Sequence, residues 1–169
     1  MAFENKSDAF LSLVETHKGI LYKVSHAYCR DPEDRKDLVQ EIILQLWRSF
    51  DRYDNRFQHS TWIYRIALNV AISFYRKETT RKTISNPITE NIVQRMDEAD
   101  KGETETGIRF LHQCIAELKE LDKALMLLYL EGKSHKEIAE IIGITETNTA
   151  TKISRIKTLL KQRFSQTNL

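Results

Sequence analysis

The chain has 169 residues, 30% of them charged, yet 26 Lys and Arg nearly balance 24 Asp and Glu and leave a formal charge of only +2. A hydrophobic share of 41% excludes a disordered chain, and five Gly with two Pro disfavour a turn-rich β protein and favour helices. The length allows one domain or two small ones, and the near-neutral total is a weak argument against a nucleic-acid partner.

Residues Ser7 to Cys29 carry Phe10, Leu13, Val14, Leu21 and Val24 at helical spacing. The opening stretch MAFENKSDAF lacks a basic region followed by an apolar one, so it does not read as a signal peptide. Asp31-Pro32 starts a second helix, because Asp is a good N-cap and Pro is tolerated at the first helical position. That helix runs through Leu38 to Trp47 and stops near Asp51–Asp54. Asp37, Glu41, Gln45 and Arg48 share one of its faces, with Gln40 and Leu44 beside them. A leucine among carboxylates and amides fits a protein-docking patch; an ordinary amphipathic helix is the plainer alternative.

Arg56 to Ser60 reads as a loop, and Ser60 or Thr61 is expected to cap a third helix from Trp62 to about Lys77. Its apolar stripe is Ile63, Ile66, Val70 and Phe74, and a narrow polar stripe holds Arg65, Asn69, Ser73 and Arg76. Trp62 falls near the polar stripe. Aromatic groups beside cations suit unpaired bases and their phosphates, although a Trp at a helix start is more often a core anchor. From Thr83 to Gly107 the character changes: Ser85-Asn86-Pro87 is a breaker, a short helix fits around 88–96, and the remainder is acidic and polar. Charge counted by segment is +3 over residues 1–82, −4 over 83–107 and +3 over 108–169. The predicted organisation is therefore all-α, with two small helical domains at 1–82 and 108–169 and a flexible acidic linker over 83–107.

Helical periodicity returns at Phe110, Leu111, Ile115 and Leu118, and a further helix covers Lys123–Leu130 before the stop Glu131-Gly132. Ser134-His135-Lys136-Glu137 is a capping box that opens a short helix ended by Gly143, and Thr145 caps a longer one reaching about Phe164. A short capped helix, a glycine turn and a longer basic helix is the helix-turn-helix pattern. Thr149, Ile153, Ile156, Leu160 and Phe164 form the core stripe of the second helix; Thr147, Thr151, Ser154 and Arg155 lie opposite, flanked by Asn148 and Lys152. Small hydroxyls with a few long bases suit entry into a major groove. A helical hairpin with a solvated basic face is the competing explanation, weakened by the absence of any acid from Thr147 onward.

Three stretches together resemble a known family. Asp34 to Glu41 with Leu46-Trp47 resembles the region 2.2 helix of bacterial RNA polymerase sigma factors. Phe57 to Trp62, Tyr64 to Asn69 and Arg76-Lys77 resemble regions 2.3 and 2.4, and Leu118 to Phe164 is similar to region 4. With no other sigma region represented, the chain is identified as a member of the extracytoplasmic-function branch. The resemblance implies that Asp37, Gln40, Glu41, Leu44, Gln45 and Trp47 dock on the coiled coil of the largest subunit of core RNA polymerase, with the polymerase flap as a second contact. It implies that Phe57, His59, Ser60, Trp62, Arg65, Asn69, Ser73, Arg76 and Lys77 capture melted −10 bases. Thr147, Asn148, Thr151, Lys152, Arg155 and Lys157 would read the −35 element as duplex promoter DNA. The acidic linker would thread polymerase channels. Ala150 and Thr149 depart from the recognition-helix run common in the family, and Ser73 stands where many members have Asp. Many relatives are held by an anti-sigma factor.

The competing function is a stand-alone helix-turn-helix regulator whose N-terminal bundle dimerises or senses. An enzyme is disfavoured, because no glycine-rich phosphate loop, nucleophile motif or metal-spaced cluster is present among the residues, and the five His are scattered. No cofactor and no metal are expected. Cys29 and Cys114 are expected to be buried thiols in a reducing compartment. No apolar run approaches the roughly 20 residues of a membrane span, so the expected location is cytoplasmic without membrane insertion. Free of polymerase, such a chain should bind duplex poorly.

Overall fold

The computed structural model describes residues 5–84 and 103–167, and the regular elements among them are all helical. In chain order they are α1 (Lys6–Thr16), α2 (Lys18–Tyr28), α3 (Pro32–Ser49), α4 (His59–Ile84), α5 (Glu103–Ala116), α6 (Glu120–Leu130), α7 (His135–Ile142) and α8 (Glu146–Thr167). A 3-10 turn, Phe50–Arg52, follows α3. The all-α fold expected from the composition is what forms: α1–α4 make one helical unit and α5–α8 a second. The helix expected around 88–96 lies outside the described residues.

Local chemistry sets most of the helix ends. The Asp31 carboxylate accepts the Glu33 N–H at 3.0 Å and Pro32 takes the first helical position, so α3 begins where the sequence indicates. Its residues Leu38, Ile42 and Leu46, spaced four apart, are all buried against α2 and α4. The apolar stretch from Ser7 to Cys29 is divided at His17, whose N–H ends α1 on the Leu13 carbonyl at 3.1 Å. Ring atom Nδ1 of His17 lies 3.0 Å from the same carbonyl oxygen.

In the second unit the Ser134 hydroxyl accepts the Glu137 N–H at 3.1 Å, and the Glu137 carboxylate accepts the Ser134 N–H at 2.9 Å. This is the complete capping box. Gly143 ends α7 in the left-handed region at φ 83° and donates to the Ala139 carbonyl at 2.8 Å. The Thr145 hydroxyl then accepts the Asn148 N–H at 3.1 Å and starts α8.

Several boundaries differ from the sequence reading, among them the start of α6, which is Glu120 rather than Lys123. α4 begins at His59, where the Trp62 N–H bonds the Gln58 carbonyl at 3.1 Å, so neither Ser60 nor Thr61 precedes the helix as its cap. It continues to Ile84 rather than ending near Lys77, and α5 starts at Glu103, inside the stretch read as linker. No proline or glycine interrupts 59–84, so nothing local stops the helix earlier. One contiguous buried cluster runs through both units, from Phe10, Val24, Leu38 and Leu68 to Leu128, Ile138 and Ile156.

Candidate nucleic-acid and polymerase interfaces

The sequence assigns α8 two faces, and the structure separates them cleanly. Thr149, Ile153, Ile156 and Leu160 are buried and Phe164 is half-buried against Phe110 of α5 at 4.9 Å between centroids. The buried Thr149 hydroxyl is satisfied by the Thr145 carbonyl at 2.9 Å, so a polar atom stands in an apolar stripe without an orphaned donor. On the other side Thr147, Asn148, Thr151, Ser154 and Arg155 are exposed, with Lys152 half-buried at their edge. Lys157 falls off this surface. Two residues beyond Arg155 it is turned by about 200°, and its ammonium donates to the Tyr129 hydroxyl at 3.1 Å, 5.0 Å from that ring.

The start of α4 and the loop before it form a second cluster. Arg56 and Asp54 make an ion pair at 3.0 Å, and the Asp54 carboxylate also accepts the Arg56 N–H at 3.2 Å, which folds the turn around Asn55 at φ 61°. The Tyr53 hydroxyl donates to the Phe57 carbonyl and fastens the loop. Tyr53 packs 4.8 Å from the His59 ring and 5.1 Å from Trp62, and the Arg65 guanidinium lies over Phe57 at 5.1 Å. His59 is exposed, and Phe57, Ser60, Trp62 and Arg65 are half-buried. Asn69, Ser73, Arg76 and Lys77 continue along the helix as exposed residues. Tyr53 was not among the residues the sequence singled out; an aromatic set among Asp51, Arg52 and Asp54 was its one local signal.

The core edge of α4 differs from the predicted stripe. Ile63 is fully buried, but Ile66, Val70 and Phe74 are only partly so, while Tyr64, Ala67, Leu68 and Ala71 are buried. The reason is that α4 is packed from several directions, by α2, α3, α6 and α7. Burial pushes the Tyr64 phenol up to about 12, with Glu131 nearby adding to the effect.

On α3, Asp37, Gln40, Glu41, Leu44 and Gln45 are all exposed, Leu44 at 42%. Trp47 is different. Its indole meets Phe10 edge-on at 5.0 Å and lies under the Lys6 ammonium at 4.5 Å, so α1 covers part of it. Trp47 supports this face from beneath rather than standing out from it.

The two helical units also touch. The Tyr28 hydroxyl donates to the Glu120 carbonyl at 2.7 Å, and Arg76 donates to the Glu120 carboxylate at 2.7 Å. That guanidinium hydrogen bond holds the Glu120 carboxyl below the usual carboxylate range. Lys123 has its ammonium 4.5 Å from the Tyr75 ring and 5.2 Å from Tyr28. Lys23 pairs with Glu131, and Lys133 lies over Tyr64 at 5.7 Å.

Known proteins provide an independent measure. The Sigma-70 region 2 family matches residues 13–81 and the Sigma-70, region 4 family matches residues 110–160. RNA polymerase sigma factor SigV of Bacillus subtilis (strain 168) is 25% identical over 160 residues, covering 94% of this chain and 93% of that protein. ECF RNA polymerase sigma factor SigW of the same organism is 26% identical over 170 residues, covering 93% and 89%. Among solved structures, the sigma factor RpoE of Bartonella quintana, crystallised with the anti-sigma factor NepR, superposes with a TM-score of 0.61 at 15% identity, covering 96% of this chain and 98% of that one. Two family matches in chain order, placed on the two helical units described above, and relatives aligned over nearly their whole length leave one assignment: the chain belongs to the extracytoplasmic-function branch of bacterial RNA polymerase sigma factors.

Proposed function

We propose that this sigma factor reads its promoter with two physically separate surfaces and grips polymerase with a third. Sigma factors of this family bind core RNA polymerase and promoter DNA and initiate transcription without catalysing a reaction themselves. The observation that carries the finer reading is the exposed polar face of α8, laid over a buried stripe and entered through a fully capped turn. Thr147, Asn148, Thr151, Lys152 and Arg155 would enter the major groove of the −35 element, the hydroxyls allowing close approach and Arg155 reaching a base edge or phosphate. Lys157, turned toward Tyr129, would serve a phosphate at the margin.

The −10 element would be taken as single strand by the loop and first turns of α4. Unpaired bases need aromatic faces and backbone cations together. Phe57, His59, Ser60 and Trp62 border that loop, Arg65, Asn69, Ser73, Arg76 and Lys77 follow along the helix, and Tyr53 props Trp62 and His59. Asp37, Gln40, Glu41, Leu44 and Gln45 would form the polymerase docking face, with Trp47 holding it rigid against α1. The complex of RpoE with NepR supports an anti-sigma partner for this chain as well.

The test is transcription with purified core polymerase. Adding this protein should produce initiation at a discrete promoter; tight duplex binding without polymerase and no initiation with it would favour the stand-alone regulator. Asp37→Lys with Glu41→Lys should weaken association with core polymerase, and unchanged affinity would reject the docking face.

A further inference from the structure

His17 and His59 stand far apart in the chain, and no metal-ligand spacing links them in the sequence. The fold brings them together. His17 sits at the joint between α1 and α2, His59 opens α4, and their ring centroids are 6.3 Å apart with planes at 62°. His17 is half-buried and His59 exposed, so the pair is reached from solvent.

Both rings are already oriented. Nδ1 of His17 lies 3.0 Å from the Leu13 carbonyl oxygen, and such an oxygen only accepts, so Nδ1 carries the ring proton and Nε2 keeps its lone pair. A backbone carbonyl on one ring nitrogen is the arrangement that orients the histidine ligands of metal ions. His59 packs 4.8 Å from Tyr53, whose hydroxyl is tied to the Phe57 carbonyl, and this holds its plane as well. His26 supplies the contrast. Its Nδ1 also meets a carbonyl, that of Tyr22 at 2.8 Å, but its ring stacks on Tyr22, and the ring contacts among the described residues give it no second imidazole.

We propose that His17 and His59 form a two-imidazole site for a borderline-soft divalent metal ion, with Zn²⁺ as its representative. Zn–N bonds of about 2.0–2.1 Å put two ligating rings about 5–6 Å centre to centre, so small side-chain rotations close the pair. No third His, Cys, Asp or Glu completes a cluster among the described residues, so water fills the remaining positions and the ion is exchangeable. Imidazole nitrogen suits Zn²⁺, and the hard, oxygen-seeking Mg²⁺ gains nothing here. The ion staples the joint between α1 and α2 to the start of α4 and holds His59 back from unpaired bases. That consequence rests on the promoter reading above; the metal site itself does not.

Titration of the full, untagged chain with Zn²⁺, followed by NMR of the histidine ring nitrogens, tests the site. The His17 and His59 signals should shift together at one equivalent, ahead of those of His26, His112 and His135, and Mg²⁺ should leave all five in place. Calorimetry should give one ion per chain. Affinity should fall at least about tenfold in His59→Ala and in His17→Gln, which keeps a side-chain amide for the Leu13 carbonyl. Absence of binding, shifts confined to one of the two rings or spread evenly over the five, or unchanged affinity in a folded His17→Gln chain overturns the site. Should a variant fail to fold, the wild-type spectra decide it.

Initiation with core polymerase supplies the second readout. Saturating Zn²⁺ should lower initiation by the wild type several-fold on a closed template, while His17→Gln at the same Zn²⁺ concentration should stay close to its metal-free level. Equal sensitivity of the two chains overturns the link to base capture. Wild-type protein that directs no initiation in the absence of Zn²⁺ counts against the promoter reading, while the ring spectra still decide the metal site.

Discussion

α4 and α8 are the two long helices assigned to DNA, and their packing differs. α8 is held from one side by α5, α6 and α7, which leaves its opposite face to solvent. α4 is pressed by α2, α3, α6 and α7, so nearly all its positions from Trp62 to Tyr75 are buried or half-buried. A helix packed from one side can give its other side wholly to a ligand. A helix packed from several keeps only a strip and the loop at its start, and its ligand residues double as structural ones. Recognition and stability should therefore come apart on α8 and stay entangled on α4.

The largest effect that would break this comparison is on the core. Ile63→Ala removes a fully buried side chain of α4 and should cost about 2–5 kcal/mol of stability. Denaturant unfolding measures it, and a loss well below that range would mean α4 is less tightly enclosed than its burial indicates. Arg155→Ala, on the exposed face of α8, should cost about 1–3 kcal/mol in −35 recognition if it pairs with a guanine, with the unfolding midpoint unchanged. Loss of stability together with binding would erase the contrast with α4.

Trp62→Ala should show the entanglement directly. Its indole is half-buried against Tyr53, so about 1–2 kcal/mol of stability should go, less than for a fully enclosed aromatic. Promoter opening should fall as well, and a pre-melted template should recover part of the activity. Full activity on closed templates would return Trp62 to a purely structural role.

A smaller effect is expected at alkaline pH. Tyr64 is pushed up to about 12 and Tyr28 further above the usual phenol range, in both cases mainly by burial. A phenol whose folded pKa is raised contributes stability that is intact below about pH 10 and lost as pH rises through the folded value. Stability should therefore decline above pH 10, and tyrosinate absorbance should show late-titrating groups among the six tyrosines. Uniform titration near the ordinary phenol value would mean these two rings are wet.

How much of this was legible in the sequence follows the same divide. The turn between α7 and α8 is encoded by neighbours: Ser134 with Glu137, Gly143, and Thr145 with Asn148. Each signal lies within four residues of the group it satisfies, so spacing alone revealed it. The exposed face of α3 was legible because Leu38, Ile42 and Leu46 fix its opposite, buried side.

The edge of α4 was not legible in the same way. Periodicity identifies one apolar stripe, whereas burial there is decided by four surrounding helices, and small residues such as Ala67 and Ala71 become core. Tyr53 gains its importance from rings brought to it by the loop, and α1 covers Trp47 from more than thirty positions away. Lys23 with Glu131 and Arg76 with Glu120 are similarly remote pairs, and no local pattern marks them. The segment-by-segment charge count described a total for each unit; it did not show that some of that charge is spent between the units.

The contiguous buried cluster that crosses from α1–α4 into α5–α8 bears on how the chain melts. Two small helical units on separate cores would unfold in two steps, each with the modest enthalpy of its size. Units sharing a core lend each other cooperativity and can lose structure in a single calorimetric transition. A sigma factor built this way couples its thermal lifetime to its shape: with its two units joined through one core, it should melt in one transition rather than two.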